Sequence, residues 1–423
     1  MLMPRLAPLI AALALAAPAA AELRGHGGPV RALAILEGGA AAVSGSFDQS
    51  AILWNLRTGE AAAVLRFHEG SVNAVLALPD GQFATAGEDG RIALWRRDRG
   101  EPVEVFQAHK RPVVGLALSP DGRRIASASW DGTARVGPVG GGEARLLEGH
   151  QGQVNAVAFL PDGRLVTAGY DATLRIWLEG EGSPAIRTLP TPLNAIAVAR
   201  QGEILAGGAD GVLRILNPAG EVRTELDLDA GPILAIAVTG DGERAAIATL
   251  RGAVALVDCR TGRETARLVG PGLPVWSLAF AQDGEELLTG GGDRLVRRWN
   301  ARTGEHIGPV VMARPAELNA VAGSERGAEV FKACAACHTL TPDGGNRAGP
   351  TLHGVFGRRI ATLPGYNFSP ALKALDITWN AETISKLFEV GPARYTPGTK
   401  MPEQTVAAED RKALVEFLEK ATR

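Results

Sequence analysis

The stretch Phe331-Lys-Ala-Cys334-Ala-Ala-Cys337-His338 sets two thiols three positions apart with an imidazole directly after the second. Cys-x-x-Cys-His is the attachment pattern of a c-type haem. Two cysteines at this spacing can bond to the two vinyl groups of the porphyrin, and the adjacent histidine then meets the iron from the same turn. A dithiol redox pair would leave His338 without a task. Half a zinc site would need a second Cys pair, which a chain with 3 cysteines does not have. An iron held by His338 takes a sixth ligand or stays open. Of the 4 methionines, Met1 and Met3 sit at the N-terminus and Met312 in a proline-containing stretch, which leaves Met401 as the candidate. The remaining thiol, Cys259, has no partner nearby in sequence and is expected to be a packed free thiol.

The elements that must position this chemistry belong to a long chain. Its 423 residues suggest more than one domain, and 46% hydrophobic content is enough for a sizeable core. A net charge of −2 without any basic tract argues against a nucleic-acid partner. Few aromatics and 53 glycines favour short strands and tight turns over long helices. Residues 1–21 read as an export signal: Arg5 is the lone charge, Leu6 to Ala17 is apolar, and Ala19, Ala20 and Ala21 come after it. Cleavage near Ala19–Ala21 is expected, with retention as an anchor as the alternative. No other membrane segment is expected.

From residue 22 to about 305 the chain repeats itself. Val30-Arg-Ala-Leu33, Val72-Asn-Ala-Val75, Val113-Val-Gly-Leu116 and Val154-Asn-Ala-Val157 line up, as do Leu193-Asn-Ala-Ile196, Ile233-Leu-Ala-Ile236 and Val275-Trp-Ser-Leu278. The period of about 40 residues is that of a four-stranded propeller blade, and it occurs seven times. Turns such as Leu-Pro-Asp80-Gly81 join a first strand to a second. A third strand runs from an Asp to a Trp, as from Asp48 to Trp54, Asp89 to Trp95, Asp171 to Trp177 and Asp293 to Trp299. On these residues the segment resembles the WD-repeat β-propeller family. The family's bonded set of His, Ser/Thr, Asp and Trp falls on His26, Ser44, Asp48 and Trp54, on His68, Thr85, Asp89 and Trp95, and on His150, Thr167, Asp171 and Trp177. The third unit has Gly137 in place of Trp. The fifth and sixth have Leu216 and Val257 there, and Arg251 replaces an Asp. Four histidines about 41 residues apart are spread around the ring, so they are expected to be structural rather than convergent on a metal. The outer strand of the last blade is expected from His306-Ile-Gly-Pro-Val-Val311, with Glu22-Leu-Arg24 as the alternative. Pro309 and Pro315 argue against a continuous helix beyond the ring, so 312–322 reads as a linker.

The last hundred residues change character towards helices, with candidates after Ser324, at Thr383 to Phe388 and at Glu409 to Leu418. Gly349-Pro350-Thr-Leu-His353-Gly-Val-Phe356-Gly-Arg358 is followed by Leu-Pro364-Gly365-Tyr366-Asn-Phe368. Ile377-Thr-Trp379-Asn and Ala393-Arg-Tyr395-Thr-Pro-Gly-Thr399-Lys-Met401 come next. In this order they are similar to class I cytochrome c of the mitochondrial type, end to end over 323–423. The resemblance implies one covalent haem c, with His338 and Met401 as axial ligands. It also implies that the Pro350 carbonyl accepts the other ring proton of His338, and that Arg358, Trp379 and Thr399 bond the propionates. Gly327 and Phe331 would meet Leu414 and Phe417 where the first and last helices cross. Phe368 stands where the family often has a propionate-bonding Tyr, and His353 matches a non-coordinating position. Lys373, Lys386 and Lys400 read equally as solvated charges or as a docking rim.

The expected architecture is therefore an export signal (1–21), an all-β seven-bladed WD-repeat propeller (22–311), a linker (312–322) and an all-α class I cytochrome c domain (323–423). A closed His/Met iron does one-electron transfer and has no place for substrate, so an electron carrier is expected rather than a catalyst. Attachment of c-type haem outside the bacterial cytoplasm, implied by the resemblance, agrees with export to the periplasm. The propeller is expected to dock protein redox partners, a respiratory chain among them. The alternative is a propeller-containing periplasmic oxidoreductase using the cytochrome domain as its electron outlet, as in nitrite reductases that carry a second haem. This chain has no second attachment motif.

Overall fold

The computed structural model describes residues 22–180, 182–268, 272–307, 325–335, 337–341, 347–366, 368–399, 401 and 406–422. The expected export signal, the linker and the capping Ser324 lie outside these residues. No helix among the described residues is long and apolar enough to cross a membrane.

Residues 22–307 form seven four-stranded antiparallel sheets, the blades of a β-propeller. Blade 1 is typical: Val30–Ile35 is innermost, then Ala41–Ser46, Ala51–Asn55 and Glu60–Leu65. Each second strand carries a small residue at one shared register opposite the inner strand: Gly45 faces Ala32, Ala86 faces Ala74, and the series continues through Ala128, Ala168, Gly207 and Ala248 to Gly290. Space explains the choice. A Cβ on Gly45 would lie 2.7 Å from Cγ1 of Val72 in the next blade, and one on Gly207 would lie 2.3 Å from Cγ2 of Ile233. Small residues here let neighbouring blades meet at close-packed distances, so the ring is a chain of inter-blade cores.

The ring closes differently from the expectation. The outer strand of the last blade is Glu22–Arg24, paired antiparallel with Leu295–Asn300, with Leu23 opposite Val296. His306 adds a single bridge to Trp299 and stacks on its ring at 3.8 Å; of the expected strand, 308–311 lie outside the described residues. Leu23 is fully buried with Trp54 and Ile52 of blade 1, a core position that His306 and Ile307 do not fill. Pro309 also lacks the N–H that a continuing ladder would use. Arg297 binds Glu22 and Asp293, while Arg298 binds Glu286 and donates to the Leu56 carbonyl at 2.7 Å, tying both chain segments and blade 1 together.

Beyond the ring, the described residues form helices α1 (Glu325–Phe331), α2 (Pro370–Lys373), α3 (Ala381–Val390), α4 (Pro392–Tyr395) and α5 (Ala408–Ala421). Asn380 caps α3 in a reciprocal capping box with Thr383, which supplies partners for two otherwise orphan N–H groups. At the crossing of α1 and α5, a Cβ on Gly327 would lie 2.2 Å from the Ala413 carbonyl oxygen, so only glycine allows this approach. The Phe331 and Phe417 rings pack at 5.5 Å beside it.

Candidate haem site

The attachment motif leaves α1 as one further helical turn. The N–H of Cys334 donates to Phe331 O at 2.8 Å, and those of Cys337 and His338 both donate to Cys334 O at 3.0 Å. That turn puts both sulfurs and the imidazole on one wall. His338 Nδ1 lies 2.7 Å from the Pro350 carbonyl oxygen; a carbonyl only accepts, so Nδ1 carries the proton and Nε2 keeps its lone pair. Burial pushes the His338 pKa down, against the opposing effect of the Pro350 bond, which favours the neutral ring that a metal requires. Gly349 makes room for it: a Cβ there would stand 2.3 Å from Cε1 of His338.

All eight residues expected from sequence (Cys334, Cys337, His338, Pro350, Arg358, Trp379, Thr399 and Met401) line a single cavity of about 220 Å³. Its walls are otherwise largely apolar, with Leu352, Val355, Leu387, Phe388 and Leu414 among them. An apolar slot with a few convergent polar groups and two sulfurs fits a porphyrin with two carboxylates. Burial raises the Cys334 thiol to about 11, and burial followed by the Asp48 carboxylate raises Cys337 as well. A redox-active dithiol has the opposite shift, so these thiols lack the activation that disulfide exchange requires. Cys259 sits apart in the propeller core, its thiol pushed up to about 12 by burial, as suits a packed hydrophobe.

Several of these side chains already have partners. Arg358 donates to the carbonyls of His353 at 3.0 Å and Thr351 at 2.9 Å, so it braces the loop after Pro350 as well as facing the cavity. Thr399 Oγ1 accepts from the Met401 N–H at 3.1 Å, which positions the Met401 backbone. Phe368 lines the wall and packs against Tyr366 at 4.7 Å.

The four repeated histidines are engaged within their own blades. His26 bridges Ser44 Oγ at 2.7 Å and Asp48 at 2.9 Å, and the Trp54 indole N–H donates to the same Ser44 oxygen at 2.8 Å. His68, His109 and His150 repeat the bonds to Thr85, Ser127 and Thr167 at 2.8 Å each.

Sequence reasoning missed the propeller's share of the site. Asp48 and Arg66, from blade 1 and the loop after it, also line the cavity. The Ala348 N–H donates to the Gly25 carbonyl at 2.7 Å, Arg66 Nε donates to Tyr366 Oη at 2.8 Å, and that hydroxyl donates to the Ala348 carbonyl at 2.6 Å. Arg66 and Tyr366 are 300 positions apart, and no spacing or periodicity connects them.

Comparison with known proteins agrees with the geometry. The Cytochrome c family model matches residues 324–422. A cytochrome c of Gibberella zeae is 42% identical over 101 residues, covering 23% of this chain and 94% of that protein. The chain belongs to the cytochrome c family. Cytochromes c of Stellaria longipes (41% over 102 residues, 24% of this chain and 94% of that protein) and Arabidopsis thaliana (39% over 110 residues, 26% and 97%) are similar to the same part. The cytochrome c domain therefore carries covalently bound haem c. The WD domain, G-beta repeat family matches 19–55, 59–96, 100–136, 141–177 and 262–300. The stretch between the last two matches holds blades 5 and 6, where Leu216 and Val257 replace the tryptophan.

Proposed function

We propose that this protein is an exported, periplasmic one-electron carrier in which an all-α class I cytochrome c domain (323–423) is joined by a linker (312–322) to a propeller (22–311) that docks protein redox partners. The convergence of both motif cysteines, His338 and Met401 on one largely apolar cavity carries this reading. The haem supplies an iron that alternates between ferric and ferrous states. Cys334 and Cys337 would hold it through thioether bonds, and His338 Nε2 and Met401 Sδ would hold its iron. The Pro350 carbonyl holds the His338 ring in orientation, and Trp379, Thr399 and Arg358 face the carboxylates. With His338 and Met401 both holding the iron, the group would supply one-electron transfer and not substrate binding, and a thioether ligand would favour the reduced state.

The platform role is supported by a repeated position. Phe47, Trp130, Tyr170 and Leu250 occupy the same turn in four blades, each donating its N–H to the preceding inter-blade loop, and they are 42%, 39%, 62% and 43% exposed. In antiparallel blades these turns and the inter-blade loops emerge on one face, which is also the face that meets the cytochrome c domain through Asp48 and Arg66. A partner seated there lies beside the haem domain, and components of a respiratory chain are one such set. Export is supported by the composition of residues 1–21, whose signal is cleaved near Ala19–Ala21.

The test is ligation. The purified holoprotein should show one haem per chain, a one-electron titration and a thioether-to-iron charge-transfer band. Met401→Ala should abolish that band and lower the reduction potential while leaving haem covalently attached. A variant that kept band and potential would refute Met401 ligation.

A further inference from the structure

Building on the electron-carrier reading, we infer that Arg66 of the propeller is a haem-site residue that raises the reduction potential of the cytochrome c domain, and that blade 1 acts as the fourth wall of the haem pocket. Arg66 lines the haem cavity from a loop outside the cytochrome domain. Its Nε is committed to Tyr366 Oη at 2.8 Å, whereas its Nη1 is buried without a hydrogen-bond partner among the described residues. A buried, unpaired guanidinium donor costs on the order of 1–3 kcal/mol or more, because its hydration is lost with nothing in return. Such a group is retained where an acceptor or a developing negative charge completes it, and haem brings both, through its carboxylates and through the electron that the iron takes up.

The contact around Arg66 is close. A Cβ on Gly27 would fall 2.1 Å from Cys337 Sγ, so the backbone of the inter-blade loop touches the second attachment cysteine directly. Gly27 is not among the glycines with positive φ, so this approach, and not backbone conformation, is what a side chain there would break. Asp48 shares the wall, and its carboxylate is occupied by His26 Nδ1 at 2.9 Å and the Gly27 N–H at 2.7 Å. The blade's structural set thus ends at the haem pocket, holding the loop that seals it.

A fixed positive charge on the wall of the haem cavity favours the ferrous form, because an added electron is stabilised in a site of low dielectric. Excluding water from the Cys337 side acts in the same direction. Removing Arg66, or separating the two surfaces, should therefore lower the potential.

Spectroelectrochemical titration of full-length holoproteins tests this. Arg66→Gln should lower the ratio of reduced to oxidised haem several-fold at a fixed applied potential, a tenfold fall corresponding to about 59 mV for a one-electron couple. Arg66→Lys, which keeps the charge, should recover most of the wild-type value. Gly27→Ala should lower the potential in the same direction by wedging the loop from Cys337. Arg57→Gln, which removes one exposed charge elsewhere on blade 1, should titrate with the wild type. The inference is overturned if Arg66→Gln coincides with wild type or with Arg57→Gln, or if Gly27→Ala leaves the potential unchanged. In either event, an intact thioether-to-iron band and one-electron titration of the wild type would leave the carrier reading standing.

Discussion

Asp48, Asp89 and Asp171 each accept a hydrogen bond from the histidine Nδ1 of their own blade, with shared oxygens on Ser44, Thr85 and Thr167 completing the set. Burial works to raise the Asp171 carboxyl, but the Gln151 N–H, Thr173 and His150 overcome it and hold it at about 2, below its ordinary 3.8. Asp48 and Asp89 are lowered in the same way. A depressed carboxylate contributes stability above its unfolded pKa and loses it as pH falls through the folded value. His109 and His150 are lowered from 6.5 by burial, with their aspartates opposing, so the unfolded chain takes those protons first and stability starts to fall below about 6.5. Thermal melts across pH should show an onset of decline below about 6.5 and a second limb below about 3.8. Asp171→Asn should lower the midpoint at neutral pH and flatten the second limb, as followed by far-UV circular dichroism. These residues were legible in the sequence because the set repeats at fixed offsets within one blade.

At the level of elements, closure of the ring depends on the short strand Glu22–Arg24. Leu23 is fully buried between Val296 and the Trp54 core, and its strand covers the edge that Leu295–Asn300 would otherwise expose. Leu23→Ala should cost about 2–5 kcal/mol, the usual range for a buried leucine truncation. His306→Ala removes a stacked ring and should cost less, on the order of 1 kcal/mol. Denaturant titration of the two variants ranks the segments; a larger loss from His306→Ala would show that the C-terminal segment closes the ring. Sequence alone favoured the C-terminal segment, because both segments lie within reach of the same edge and that one is continuous with the last blade. The choice was made by which side chain fills a pocket built from blades 1 and 7.

At the level of the molecule, the cytochrome c domain and the exposed side chains of Phe47, Trp130, Tyr170 and Leu250, in blades 1, 3, 4 and 6, share one face of the propeller. Exposed apolar side chains on the face that meets the cytochrome c domain suit a transient electron-transfer contact, in which a few buried aromatic side chains carry most of the binding. Replacing Trp130 and Tyr170 together by serine should slow oxidation of the full-length reduced protein by host-cell membranes about tenfold, or about 1.4 kcal/mol. Oxidation by ferricyanide should be unchanged, since the haem site is untouched. Equal slowing with both oxidants, by stopped flow, would place the effect in the haem domain and refute the docking role of this face.

Much of this protein is determined locally and is readable without coordinates. The motif Cys334 to His338 is a single turn, the sequence context of Met401 is a short run, and each blade repeats its own turn and bonding residues. Local spacing suffices there because the chemistry is assembled from neighbours in sequence or from copies of one unit. What only the tertiary structure decided involves contacts without any such period. The strand Glu22–Arg24 completes the adjacent last blade by pairing with residues about 275 positions later, and the loop holding Gly27 and the guanidinium of Arg66 lie against a cysteine and a tyrosine about 300 residues away. Those pairings depend on which surfaces fit and bury each other, and side-chain shape at long range leaves no pattern in a sequence.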